Sequence, residues 1–236
     1  MNAASVRDFS EKGTEEFEDE VPEAVVRAAK ECYGSAKDGR RDGALDWKDE
    51  THAVSSWVRE AWERNGCRES GSWEEVFGSF GAELCMAWGT ARFIDEIAEA
   101  GKRIYDIFMY VNVWLDGNGE KGWSLAGLEY PSGGAVSKVL PVWYAACSSL
   151  DCIAPDAYEG DPVSVRRTQA LYDREGYAFY VPESGMSNVN ASMMIEAAGK
   201  HGAAGYHVFG VDSFLEKDGR LKEKAEGIRH SFVMLD

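Results

Sequence analysis

Residues 177–211 read YAFYVPESGMSNVNASMMIEAAGKHGAAGYHVFGV, and a change of period inside this stretch decides the fold. Residues 177–181 (YAFYV) form a short apolar run rich in β-formers, as a strand buried on both faces requires. Residues 188–201 place their apolar side chains at helical spacing, and residues 204–211 (AGYHVFGV) return to an apolar strand. A strand, a helix and a strand in that order make a βαβ unit, whose two strands run parallel.

The alternation repeats upstream. Residues 162–175 read as a helix and residues 151–155 (DCIAP) as a strand. Val136, Val139, Leu140, Trp143, Cys147 and Leu150 give another helix, which tolerates Pro141 if it starts near Ser137. Residues 107–114 (IFMYVNVW) are a buried strand. Before it, Leu84, Ala87, Trp88, Ala91, Ile94, Ile97 and Ala98 follow one helical face, with Gly101 as the expected stop. A polar helix is expected from Leu221. The pattern predicts four parallel strands at 107–114, 150–155, 177–182 and 204–210, adjacent in that order, with helices on one face. A doubly wound sheet and a barrel both satisfy it. No G-x-G-x-x-G and no G-x-x-x-x-G-K-[ST] follows any strand, so nucleotide binding has no support.

Residues 1–80 are different: polar, acidic and poor in β-branched runs. Residues 21–32 read as a helix with Pro22 in its first turn, and residues 34–43 (GSAKDGRRDG) as a loop. Val54, Trp57, Val58, Ala61 and Trp62 recur at helical spacing up to Gly66.

With 236 residues, 44% of them hydrophobic, the chain is long enough for a sizeable core. A formal net charge of −16 disfavours nucleic acid and anionic membrane as partners and leaves neutral sugars open. The 8 Trp, 10 Tyr and 10 Phe suit a carbohydrate cleft and equally a large core. Five Cys (Cys32, Cys67, Cys85, Cys147 and Cys152) show no C-x-x-C spacing, so neither a disulfide framework nor a zinc site is expected; Cys147 and Cys152 lie in apolar runs as core thiols. The four His (His52, His201, His207 and His230) have no metal spacing and read as structural, so no metal or other cofactor is expected. No apolar run is long enough for a transmembrane helix and no signal peptide opens the chain, which with free cysteines favours the cytoplasm.

Chemistry-bearing residues collect after the strands, where a βα barrel keeps its reactive groups. Asn112, Trp114 and Asp116 end the first strand; Asp156, Tyr158 and Glu159 follow the second; Pro182 and Glu183 the third; Phe209 and Asp212 the fourth. Carboxylates with one amide and several rings, and no Ser–His or Cys–His arrangement, suit glycoside chemistry. One carboxylate attacks the anomeric carbon, one carboxylic acid protonates the leaving oxygen, and rings stack on sugar faces. Glu183 stands out, because an apolar run leads into Pro182 and then an ionisable group, and burying a carboxylate demands partners. The alternative for Glu183 is a solvated loop carboxylate or a helix-cap partner. Asp156 is as well suited to bracing a loop as to touching a ligand. Asn112, mid-strand, needs a partner for its amide, and Trp114, Tyr158 and Phe209 serve rim packing as well as sugar stacking.

Seven collinear strings resemble β-galactosidase-like glycoside hydrolases related to families 35 and 42. They are SGSWEEVFG (70–78), CMAWGTARFIDEIAEAGK (85–102), MYVNVWL (109–115), YPSGGAVSKVLPVW (130–143), LDCIAPDAY (150–158), YVPESG (180–185) and AAGYHVFGVD (203–212). The likeness spans most of residues 5–215. It implies an α/β fold, namely part of a (β/α)8 TIM barrel: residues 81–236 would be its C-terminal half, with strands five to eight. Residues 1–80 would be a mostly helical excursion after strand four. It further implies a retaining mechanism with Glu183 as nucleophile, and Asn112, Tyr158 and the Ser132–Gly133–Gly134 loop facing a β-galactoside-like sugar. The family's acid/base Glu belongs to a Glu-Asn-Glu motif at the end of strand four, which these 236 residues do not contain. An inactive half-barrel that binds carbohydrate or assembles is the alternative, as is a self-contained pairing of Glu183 with Asp156 or Glu159. Open barrel edges would invite self-association. Pro141 stands where the family usually has an acidic residue and Ser184 where it usually has Thr, and Ser187–Asn190 carries no arginine.

Overall fold

The computed structural model describes residues 6–31, 57–116 and 125–236, which divide into two compact units. Residues 34–43, expected to be a loop, and His52 and Val54 lie outside the described residues.

The first unit takes residues up to Met109 and residues 114–151. It is helical: Glu11–Glu18, Glu23–Glu31, Trp57–Arg64, Trp73–Phe77, Gly81–Ile104, and Leu140–Ala146 after a 3-10 turn at Ser137–Val139. Pro141 sits in the first turn of its helix, where its missing N–H leaves no bond unmade. Val25, Val58, Val76, Phe77, Leu84, Ala87, Ala91, Val136, Val142 and Trp143 are buried as its core. Gly101, expected to stop its helix, does not. The helix runs to Ile104, where the Tyr105 N–H donates to the Gly101 carbonyl at 3.0 Å. A mid-helix glycine costs only about 1 kcal/mol. In the last turn Lys102 pairs with Asp151 at 2.7 Å and Arg103 with Glu99 at 3.1 Å. Gly101 also admits Met109, whose Cε would lie 2.6 Å from an added Cβ.

The second unit is a parallel α/β arrangement. Its strands are β1 (Tyr110–Val113), β2 (Cys152–Ala157), β3 (Tyr180–Val181), β4 (Glu183–Ser184) and β5 (Gly205–Tyr206). All pairings are parallel: β1 with β2, β2 with β4, and β3 with β5. Pro182, which has no N–H to donate, divides one extended run into β3 and β4. The lower part of that run bonds β5 and the upper part β2, so the strand runs follow one another in chain order. The expected strands are shorter than their apolar runs. At 107–114 only 110–113 pair, with Ile107 and Phe108 exposed. At 204–211 only Gly205–Tyr206 form a strand. Beyond it the His207 and Phe209 N–H groups still donate to Val181 and Ser184 carbonyls, until Gly210, at φ +70°, turns the chain into a 3-10 turn at Val211–Phe214.

Helices Pro162–Tyr172, Asn188–His201 and Glu226–Leu235 complete this unit. The side chain of Asp161 accepts from the Val163 and Ser164 N–H groups, and the Ser187 hydroxyl accepts from that of Asn190, so each of the first two helices starts on a polar cap. Gly202, left-handed at φ +62°, ends the second. In-register neighbours and alternation along β2 place Val113, Ile153, Ala157 and Ser184 on one face, which is buried. The Tyr206 hydroxyl on β5 donates to Asn190 Oδ1 of the second helix at 3.1 Å, and Gln169 Nε2 on the first helix donates to the Met193 carbonyl of the second at 3.1 Å. Cys147 and Cys152 are both buried free thiols, as their apolar runs predict. Among the described residues no helix is long and apolar enough to cross a membrane.

Candidate functional site

The other face of the β1–β2–β4 sheet is polar and aromatic. Tyr110 is in register with Cys152, Asn112 with Ala154, and Asp156 with Glu183. Residues two apart on a strand share a face, so Tyr110, Asn112, Asp156 and Glu183 lie together, with Tyr158 next along the chain. Asn112 and Tyr158 are exposed, and Asp156 and Glu183 half-buried.

Glu183 opens β4 at the end of the apolar run that Pro182 closes. The Tyr158 hydroxyl donates to its Oε1 at 2.6 Å, a short charge-assisted bond. Loss of solvent, then the hydrogen bond and charge of Glu183, push the Tyr158 hydroxyl well above its ordinary range, so it remains a donor. Asp156 has weaker support: the Asn112 amide reaches each of its oxygens at 3.4 Å. Burial first and the neighbouring Glu183 charge second push its carboxyl up to about 6, against the opposing pull of Asn112. Gly185 keeps the rim narrow, since a Cβ there would stand 3.3 Å from Asn190 Nδ2 and 3.4 Å from Tyr158 Cδ1.

Below the carboxylates lies an aromatic group that pattern reading did not single out. Tyr180 packs edge-on against Tyr110 with centroids 4.8 Å apart and against His207 at 5.3 Å. Its hydroxyl lies 3.2 Å from His207 Nδ1. The available signal was parity, because Tyr110 stands two residues before Asn112.

The fold thus brings Asn112, Asp156, Tyr158 and Glu183 together. Phe209 is 67% exposed, and its N–H donates to the Ser184 carbonyl. Trp114, just past β1, is 70% exposed and groups with the first unit. Ser132 and Gly133 also belong to that unit. There the Ser132 hydroxyl donates to the Val6 carbonyl at 2.5 Å, and buried Gly133, at φ +92°, accepts from the Trp143 indole at 3.1 Å. Asp116 is buried and accepts from the Ser137 hydroxyl at 3.0 Å. Glu159 accepts from the Thr168 hydroxyl on helix Pro162–Tyr172, which turns it toward the helix layer. Asp212 sits in an exposed 3-10 turn. His201 is buried with its Nδ1 2.9 Å from Asp173 Oδ2. Among the described residues no group of three or more His, Cys, Asp or Glu side chains could hold a metal ion.

Compared with protein-family models and with characterised proteins, the chain gives no match.

Proposed function

We propose that the second unit carries the nucleophile half of a retaining, β-galactosidase-like glycoside hydrolase site, and that its strand runs correspond to barrel strands five to eight. The observation that carries this is the hydrogen bond from Tyr158 to Glu183 at the C-terminal ends of adjacent parallel strands. Fixing Oε1 leaves the second oxygen of Glu183 for attack on an anomeric carbon, with formation of a glycosyl ester. Asn112 and Asp156 offer an amide and a carboxyl to sugar hydroxyls, and Tyr110, Tyr158 and Phe209 offer rings to sugar faces. Carbohydrate, specifically a β-galactoside, is the proposed substrate. The strand order supports the barrel assignment, as does a sheet with one face buried and a polar, aromatic opposite face. Each of β1 and β5 pairs on one side only among the described strands, which favours self-association.

A mechanism-based label tests the nucleophile. Dinitrophenyl 2-deoxy-2-fluoro-β-galactoside forms a stable ester with such a carboxylate. We expect the intact mass to rise by one fluorosugar, mapped to the peptide containing Glu183, and no label on Glu183→Gln. A label elsewhere, or none at millimolar reagent, would overturn the assignment.

A further inference from the structure

We propose that Gly185 is a positioning residue of this site: the bare backbone there lets the Tyr158 ring lean across the neighbouring strand and bring its hydroxyl to Glu183. This deepens the reading of Glu183 given above and rests on it.

The pairing of β2 with β4 fixes the arrangement. Asp156 is in register with Glu183 and Ala157 with Ser184, and one step on the Gly185 N–H donates to the Ala157 carbonyl at 3.4 Å. Tyr158 and Gly185 therefore stand opposite one another, on the face that carries Asp156 and Glu183. Glu183 is the diagonal neighbour of Tyr158, two places back on the adjacent strand, a span that an aromatic side chain covers by leaning across. The Tyr158 hydroxyl covers it and reaches Glu183 Oε1 at 2.6 Å. A Cβ on Gly185 would lie 3.4 Å from Tyr158 Cδ1 and 3.9 Å from Cε1, so the ring borders the space that a side chain would take.

The opposite wall of that space is Asn190, whose Nδ2 lies 3.3 Å from the same Cβ position. Asn190 is 2% exposed. Its backbone and side-chain N–H groups donate to the Ser187 hydroxyl at 3.0 and 3.2 Å, and its Oδ1 accepts from the Tyr206 hydroxyl at 3.1 Å. Non-bonded heavy atoms prefer about 3.5–4.0 Å, so a methyl group at 185 is crowded on the Asn190 side. The buried amide is held by its bonds, whereas the Tyr158 ring is 50% exposed and free to swing outward. The displacement falls on Tyr158, and its bond to Glu183 lengthens. The backbone plays no part in this: Gly185 is not among the glycines at positive φ, so an L-residue adopts its conformation. Glycine matters at 185 for space.

The test measures departure of the sugar from Glu183. The 236-residue chain is loaded with dinitrophenyl β-galactoside and chased with azide, a nucleophile that needs no general base, and loss of the covalent adduct is followed by intact mass. Gly185→Ala should slow this release about threefold and Gly185→Val about tenfold, the latter matching Tyr158→Phe. In Tyr158→Phe no hydroxyl is left to displace, so adding either change at 185 should slow release no further. A role in folding alone gives no such cancellation. Uptake of the fluorosugar label on Glu183 within a few-fold of the parent shows that a variant keeps its site. Release at the parent rate from Gly185→Ala and Gly185→Val overturns the proposal, and so does a further loss when either is combined with Tyr158→Phe. It is also overturned if Gly185→Val takes no label while Gly185→Ala releases at the parent rate. If the parent chain takes no label, the reading of Glu183 fails, and this proposal with it.

Discussion

Tyr158→Phe probes the bond on which the proposed function rests. The Tyr158 hydroxyl lies 2.6 Å from Glu183 Oε1, and its ring borders Gly185. Phenylalanine keeps the ring and removes the donor. A hydrogen bond to a charged group contributes about 1.5–3 kcal/mol. Tyr158 is 50% exposed, so water replaces part of what is lost and the lower end applies. About 1.5 kcal/mol corresponds to roughly tenfold in rate, with roughly 150-fold as the ceiling. The two chemical steps feel the loss differently. During attack the charge of Glu183 is consumed and the hydroxyl bond weakens. During release the carboxylate recovers its charge, and the hydroxyl is there to receive it. Only interactions that strengthen in the transition state accelerate a step, so the loss falls on release. With dinitrophenyl β-galactoside, quenched-flow intact mass should show glycosylation within a few-fold of the parent and sugar release about tenfold slower. The covalent fraction at steady state should rise accordingly. Unfolding free energy should change by less than about 0.5 kcal/mol, because the hydroxyl leaves a half-exposed side chain. Slowed glycosylation with unchanged release would refute the reasoning.

Glu183→Gln should abolish both the dinitrophenolate burst and any azide-stimulated turnover, and a surviving azide effect would point to a different nucleophile. In the first unit, Lys138 and Glu83 are a buried pair at 3.6 Å, with Tyr130 donating to the same carboxylate. Lys138→Met should destabilise this unit by about 3–5 kcal/mol at neutral pH in urea melts. Burial already raises the Glu83 carboxyl above its ordinary 4.5. The folded state therefore holds the proton more tightly than the unfolded one, and stability falls as pH rises from below 4.5 through the raised value. The variant should therefore regain stability at acid pH, and a pH-independent deficit would contradict this. Gly133→Ala forces a side chain at φ +92° with its Cβ 2.6 Å from Thr90 Oγ1, and about 1–3 kcal/mol of destabilisation should appear in the same melts. Asp161→Ala removes the cap of helix Pro162–Tyr172, which should lower stability by about 1 kcal/mol without altering a label on Glu183.

The sequence by itself determined the alternation of strand and helix, the parallel direction of the strands and their order. Each of these follows from local periodicity and from the chirality of βα crossovers. The helix at 188–201 has the bounds its period predicts. Glu183 was legible as an unusual carboxylate because an apolar run and Pro182 precede it. Strand lengths were not legible. An apolar residue reports burial, but a strand exists only where a neighbour offers matching N–H and C=O groups, and Pro182 and Gly210 interrupt that matching. Gly101 misled for a related reason: its helix penalty is small, and the turn beyond it makes contacts that a local pattern does not encode, Lys102 pairing with Asp151 far along the chain. The site itself was decided by tertiary structure. Tyr158 meets Glu183, and Asp156 stands beside it, only because β2 and β4 pair in one register, and a shift of one residue would turn either side chain to the helix layer. The raised Asp156 carboxyl likewise depends on shielding and on a neighbouring charge, which are properties of packed pairs and which no single stretch of sequence encodes.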